Sequence, residues 1–191
     1  MKNKLIISFI LASLSFSHSS FATEVTQAEL DLSHKIVKQF MGKLKGELVG
    51  AMKKGGPLNA IKVCNSQAIV ISQEVSTAHK MDVARTSLKL RNPNNIADSW
   101  ETKVLQNFEK RKAAGEPVKT MEYAEIVDNN GVKQFRYMKA IPVAKPCLSC
   151  HGEKVKAEVL SKLASLYPAD KATGYKLGDI RGAFTITKDI K

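Results

Sequence analysis

Cys147-Leu148-Ser149-Cys150-His151 is a C-x-x-C-H sequence, the attachment signature of haem c. Two thiols three positions apart reach the two vinyl groups of one porphyrin and form thioether bonds. The histidine after the second thiol is carried under the iron, where a neutral imidazole nitrogen serves as an axial ligand. Three other chemistries use two close cysteines. A thioredoxin-like C-x-x-C wants a βαβ frame and has no need of the histidine. A structural zinc site needs four ligands, and no second close Cys/His pair stands in the chain. A plain Cys147–Cys150 disulfide is the third. One haem c, covalently attached, is the reading on which the motif, the leader and the compartment described below agree.

The chain has 3 cysteines, an odd number for a protein sent to an oxidising compartment, so one thiol needs its own explanation. That thiol is Cys64. The second face of the iron has several candidate occupants: a histidine, a methionine, an open position or Cys64. His34 lies in a polar stretch of helix and His79 at a helix end, and both read as solvated. Met41, Met52, Met81, Met121 and Met138 sit at helical or strand spacings, which suits core packing. Cys64 falls on the apolar face of a helix. It is either a small buried hydrophobe or a thiolate ligand, which would favour ferric iron and lower its reduction potential.

Several elements must position these residues. Val37, Met41, Leu44, Leu48 and Met52 recur at helical spacing and predict one long helix from Thr26 to about Met52, ended by Gly55-Gly56-Pro57. A second helix, about Asn59 to Val75, carries Ile61, Cys64, Ala68, Ile71 and Val75 on one face. Met81 to Leu90 reads as a strand closed by Asn92-Pro93-Asn94-Asn95, a run of turn and helix-capping residues. A helix from Ile96 to Ala114 follows, with Ala97, Trp100, Val104, Leu105 and Phe108 inside. Thr120–Val127 and Val132–Ile141 form a hairpin across Asn130-Gly131. A short helix around Glu153 to Leu166 and a last alternating strand, Ile180 to Thr187, complete the order. That order predicts an α+β domain, an antiparallel sheet with helices on one side. No glycine-rich phosphate loop and no G-x-S-x-G elbow occurs.

Lys2 and Lys4, the apolar run Leu5–Phe16 and Ser20-Phe21-Ala22 read as a secretory leader. The run spans about 18 Å at roughly 1.5 Å per residue, short of a bilayer core of about 30 Å. Residues 1–22 are therefore expected to be removed, leaving a single domain over 23–191 without a membrane span. No cysteine stands just after the apolar run, so no lipid anchor is expected. With the leader gone, 28 basic and 18 acidic side chains remain, a net charge of +10. They are scattered lysines with 6% aromatics, a solvated surface rather than a nucleic-acid face. The expected location is the periplasm.

Further residues carry a resemblance. Ala60-Ile61-Lys62-Val63-Cys64, Arg85-Thr86-Ser87 leading to Arg91-Asn92-Pro93-Asn94, Cys147 to His151, and Gly178-Asp179-Ile180-Arg181-Gly182-Ala183 resemble bacterial exported c-type haem proteins with a PAS-like fold. These occur alone or as the sensory part of membrane signalling proteins. The resemblance covers essentially the whole mature chain. It implies one haem between a PAS-like sheet and its helices, with His151 as proximal ligand and Cys64 as the distal one. Arg85 and Arg91 are the first candidates to pair with the haem propionates, ahead of Arg136 and Arg181. The chain ends four residues after the expected last strand, so a signal is expected to pass to another protein. The expected function is a redox or diatomic-gas sensor without enzyme activity, since no distal acid–base pair can be placed. The alternative is an electron-transfer cytochrome that docks an acidic redox partner through its basic surface.

Overall fold

The structure, a computed structural model, describes residues 24–190. The leader expected at residues 1–22 lies outside them. Among the described residues no helix is long and apolar enough to cross a membrane.

Helix α1 spans Gln27–Lys62. The Thr26 hydroxyl accepts from the Glu29 backbone N–H while the Glu29 carboxylate accepts from the Thr26 N–H, a capping box that fixes the start. Ile36, Val37 and Phe40 recur at its buried face. Gly55 and Gly56 leave helical geometry, and Gly56 has φ +64°, which only glycine adopts at little cost. Pro57 restarts the helix at a first-turn position where its missing N–H is not needed. The expected helix end is thus a kink between two helical arms. Beyond Lys62 the backbone widens into a π-helical turn, Val63–Gln67, before helix α2, Ala68–His79.

Strands β1 (Asp82–Thr86), β2 (Glu122–Asn129), β3 (Val132–Pro142) and β4 (Ile180–Asp189) form one sheet in the order β1-β4-β3-β2, every pair antiparallel. Asn130 (φ +55°) and Gly131 (φ +85°) make the two-residue turn between β2 and β3, as the hairpin signal predicts. Side chains alternate across the sheet. Phe135, Tyr137, Phe184, Ile186 and Val83 pack on Ile36, Phe40, Ile71 and Val75 of α1 and α2. Met138, Ala140 and Ala183, of opposite parity, pack on Val104, Leu105 and Phe108 of helix α3, Ser99–Ala113. Phe40, Phe108 and Phe135 are fully buried, each worth roughly 2–3 kcal/mol of apolar burial.

The α+β, PAS-like class with its long N-terminal helix stands. The expectation of helices on one side of the sheet is corrected, because α3 covers the second face. The order of elements alone carries no information about faces. Strand parity settles it.

Other boundaries shift for local reasons. β1 stops at Thr86, because Ser87 turns to bridge Ile96. α3 begins at Ser99 with Asp98 and Glu101 as its capping box, while Asn92 caps only a 3-10 turn, Pro93–Asn95. Helix α4, Leu148–His151, is one turn, and helix α5 runs Ala157–Leu166, four residues later than the expected Glu153 start.

Candidate functional site

The C-x-x-C-H segment is wound as a 3-10 turn, Lys145–Cys147, running directly into α4. Gly152 ends α4. A Cβ there would stand 2.6 Å from the Leu148 carbonyl oxygen, so a side chain is excluded. The loop 170–175 then lies alongside. Tyr175 N–H donates to the His151 carbonyl at 2.9 Å, and Gly174 N–H to that of Gly152 at 3.0 Å.

His151 Nδ1 lies 2.6 Å from the Ala172 carbonyl oxygen. A carbonyl only accepts, so Nδ1 carries the proton and Nε2 keeps its lone pair. Nε2 faces Arg91 Nη1 at 3.4 Å and Arg181 Nε at 3.5 Å. Burial first, and then the charges of Arg181 and Arg91, push the imidazole pKa down to about 3. The ring is therefore neutral at physiological pH, the form that binds a metal.

Cys64 sits on the π-helical turn, half-buried, within electrostatic reach of Arg85, Arg91, Arg181 and Cys147. Burial pushes its thiol pKa up, while the three guanidinium groups pull the other way. Burial likewise raises that of Cys150. All three cysteines are free thiols, which disfavours the Cys147–Cys150 disulfide. The all-antiparallel sheet contains no βαβ frame for thioredoxin-like chemistry. Among the described residues no three His, Cys, Asp or Glu side chains form a metal-ion cluster of the zinc type. Ile61, one turn before Cys64, packs with Val159, Leu163, Tyr167 and Cys150, so α5 ties the Cys64 turn to the C-x-x-C-H turn. The Asn65 side chain hydrogen-bonds the buried Tyr167 hydroxyl beside Cys64.

The arginines separate by their acceptors. Arg85 Nε is buried with no hydrogen-bond partner among the described residues, and its guanidinium lies over the Phe40 ring at 5.8 Å. Arg181 reaches Ser87 Oγ at 3.0 Å and the Lys89 carbonyl at 3.3 Å, with no carboxylate partner among the described residues. Arg91 is committed: it pairs with Asp170 at 2.9 Å and donates to the Cys150 and Ala172 carbonyls. Arg136 is a strand-to-helix tie, 2.6 Å from Asp98 and stacked on Trp100 at 4.4 Å.

The other axial candidates are engaged elsewhere. His34 pairs with Glu122 and His79 with Gln39. Met121 and Met138 lie in the α3 core, Met81 in the α1–α2 core, and Met41 is 48% exposed. The structure brings Cys64, Cys147, Cys150, His151, Arg85, Arg91 and Arg181 together and leaves the rest outside. Sequence reasoning missed Asp170, Ala172 and the π-helical turn. An aspartate and an alanine in a loop carry no spacing signal, and one inserted helical residue does not disturb a 3.6-residue pattern enough to show.

These residues fit a haem. An imidazole whose Nε2 carries no proton, the Cys64 thiol in the same cationic cluster and two further thiols at thioether spacing are the groups a haem c uses, the first two for its iron and the last two for its porphyrin. The unpartnered Arg85 and the carboxylate-free Arg181 fit its carboxylates.

A family model described as Tll0287-like matches residues 3–188. The crystal structure of the cyanobacterial heme-protein Tll0287 is similar to this one with a TM-score of 0.64 at 22% identity. The likeness covers 87% of this chain and 98% of that one, and at that identity it bears on the fold. No curated protein matches.

Proposed function

The chain belongs to the Tll0287-like family, and from that premise we propose that it is a periplasmic haem protein, a redox or diatomic-gas sensor with one covalent haem c. Cys147 and Cys150 would hold the porphyrin, His151 Nε2 and Cys64 Sγ the iron, and Arg85 and Arg181 the propionates. When bound, the haem supplies an iron that changes oxidation state and offers a face to a diatomic gas. The protein supplies the rest. The Ala172 carbonyl keeps the His151 proton on Nδ1 and so leaves a lone pair on Nε2. Off the iron, Cys64 holds its proton on sulfur because burial raises its pKa. As a thiolate ligand its charge is balanced by Arg85, Arg91 and Arg181. Its π-helical turn, between the Gly55-Gly56 kink and α2, is an element with two available states, docked and released.

The observation that carries the reading is the placement of Cys64 on that turn, in the same buried cationic cluster as Cys147 and His151. The test is optical spectroscopy of the purified protein, ferric and ferrous, with and without CO, for wild type and Cys64→Ala. A low-spin ferric thiolate signature that vanishes in the variant, together with ferrous iron that takes CO, supports it. Retained haem with an unchanged variant spectrum makes Cys64 a packing residue and favours the electron carrier. A chain without haem overturns the reading.

A further inference from the structure

Arg91 and Asp170 meet beneath His151, with side chains only 8% and 11% exposed. Asp170 Oδ2 accepts from Arg91 Nε at 3.0 Å and stands 2.9 Å from Nη2. Asp170 Oδ1 accepts the Ala172 N–H at 2.8 Å. Arg91 Nη2 also donates to the Cys150 carbonyl at 2.7 Å and the Ala172 carbonyl at 3.2 Å. The Ala172 carbonyl is the acceptor of the His151 Nδ1 proton. One ion pair therefore holds residue Ala172 by both its N–H and its carbonyl, and shares the oxygen that orients the imidazole.

We propose that the Arg91–Asp170 pair is the positioning and tuning device of the proximal ligand, setting how strongly His151 donates to iron. The proposal rests on the haem reading above and assigns Arg91 away from the propionates. A carbonyl that accepts from both Arg91 and His151 gives each a weaker bond than it would give one alone. The imidazole Nδ1 proton is then held less tightly by the oxygen, and Nε2 is a poorer donor than in an unshared pair. Asp170 offsets part of the guanidinium charge that would otherwise act in full on the iron through a low-dielectric interior. The two residues thus act on His151 in opposite senses.

Opposite senses give an opposed-sign test. Asp170→Asn keeps an oxygen for the Ala172 N–H but removes the negative charge, leaving the Arg91 cation uncancelled. Ferrous iron is favoured and the midpoint potential rises. Arg91→Lys keeps the cation but loses the forked donor, so the Ala172 oxygen serves His151 alone. Nε2 becomes a stronger donor, ferric iron is favoured and the midpoint falls.

The experiment is a spectroelectrochemical titration of the holoprotein and both variants. The expected result is a change of roughly threefold or more in the ferrous-to-ferric ratio at fixed ambient potential, with opposite signs; threefold is about 28 mV on the one-electron scale of 59 mV per tenfold. Midpoints that stay put, or move together, overturn the proposal and leave the pair as scaffold.

If neither variant retains haem, NMR of the unaltered ferrous protein decides. A His151 Nδ1 proton protected from exchange, and an Arg91 Nη2 proton protected with it, support the shared carbonyl. Rapid exchange of either overturns it. A wild-type chain without haem would instead defeat the haem reading itself, so the two failures are distinguishable.

Discussion

Glu122 shows how one side chain sets pH behaviour in this protein. Its Oε2 lies 2.8 Å from both the Tyr137 hydroxyl and His34 Nε2, and 3.2 Å from Lys139 Nζ. Burial works to raise its pKa, yet the hydrogen bonds from Tyr137, His34 and Lys139 together outweigh it and hold the carboxyl below the ordinary range. A carboxyl depressed in the folded state adds stability that is present above the unfolded pKa of about 4.3 and lost as pH falls through the folded value. Glu122→Gln is expected to lower the urea-unfolding free energy by about 1 kcal/mol at pH 7. The gap between variant and wild type should close as pH falls below the ordinary carboxylate range and through the folded value. A gap that is constant with pH would show that the carboxylate charge contributes nothing. The same attention to acceptors distinguishes the arginines. Arg85, Arg91, Arg136 and Arg181 look alike in a sequence, and only their partners separate an ion-paired support from a guanidinium that still wants an anion.

Two glycines separate a kink from a close approach at the scale of elements. Gly182, on β4, has φ +153°, and a Cβ there would stand 2.2 Å from the Thr86 carbonyl oxygen at the end of β1. Gly56 has φ +64° but open space where its Cβ would be. Gly182→Ala must push β1 off β4, next to Arg85 and Arg181, at a cost of roughly 2–4 kcal/mol. Gly56→Ala, at φ +64° and ψ −159°, meets backbone strain alone, roughly 1–3 kcal/mol, without the added clash. Thermal melts of the two holoproteins should show the larger drop for Gly182→Ala, with a disturbed haem spectrum in that variant alone. Equal drops would mean that the β1–β4 contact is slack.

Much of this element scale was legible. The capped first helix, the Asn130-Gly131 hairpin and the alternating last strand each have a local cause written in consecutive residues. The C-x-x-C-H turn was legible for the same reason. The side of the sheet taken by α3, the π-helical turn at Cys64 and the Asp170 anchor were not, because each depends on what packs against it from a distant part of the chain.

At the scale of the whole molecule, the chemistry of the site and the route of the chain must agree. Thioether formation at Cys147 and Cys150 needs both thiols reduced and presented on an accessible turn. In bacteria it takes place outside the cytoplasm, where a lone Cys64 would otherwise be exposed to oxidation and mispairing. On the proposed reading, ligation of Cys64 solves that difficulty, and the leader at residues 1–22 is what brings the chain to the place of attachment. A chain expressed without residues 1–22 in a bacterium competent for haem c attachment should accumulate with no covalent haem. The full chain should carry one haem that survives denaturation and should be found in the periplasmic fraction. Mass spectrometry of the two products, with haem-stained denaturing gels of each fraction, checks both. Covalent haem on the leaderless chain would break the link between export and attachment. A full chain retained in the cytoplasm would remove the argument from the leader, and the C-x-x-C-H turn would then have to be judged on its geometry alone.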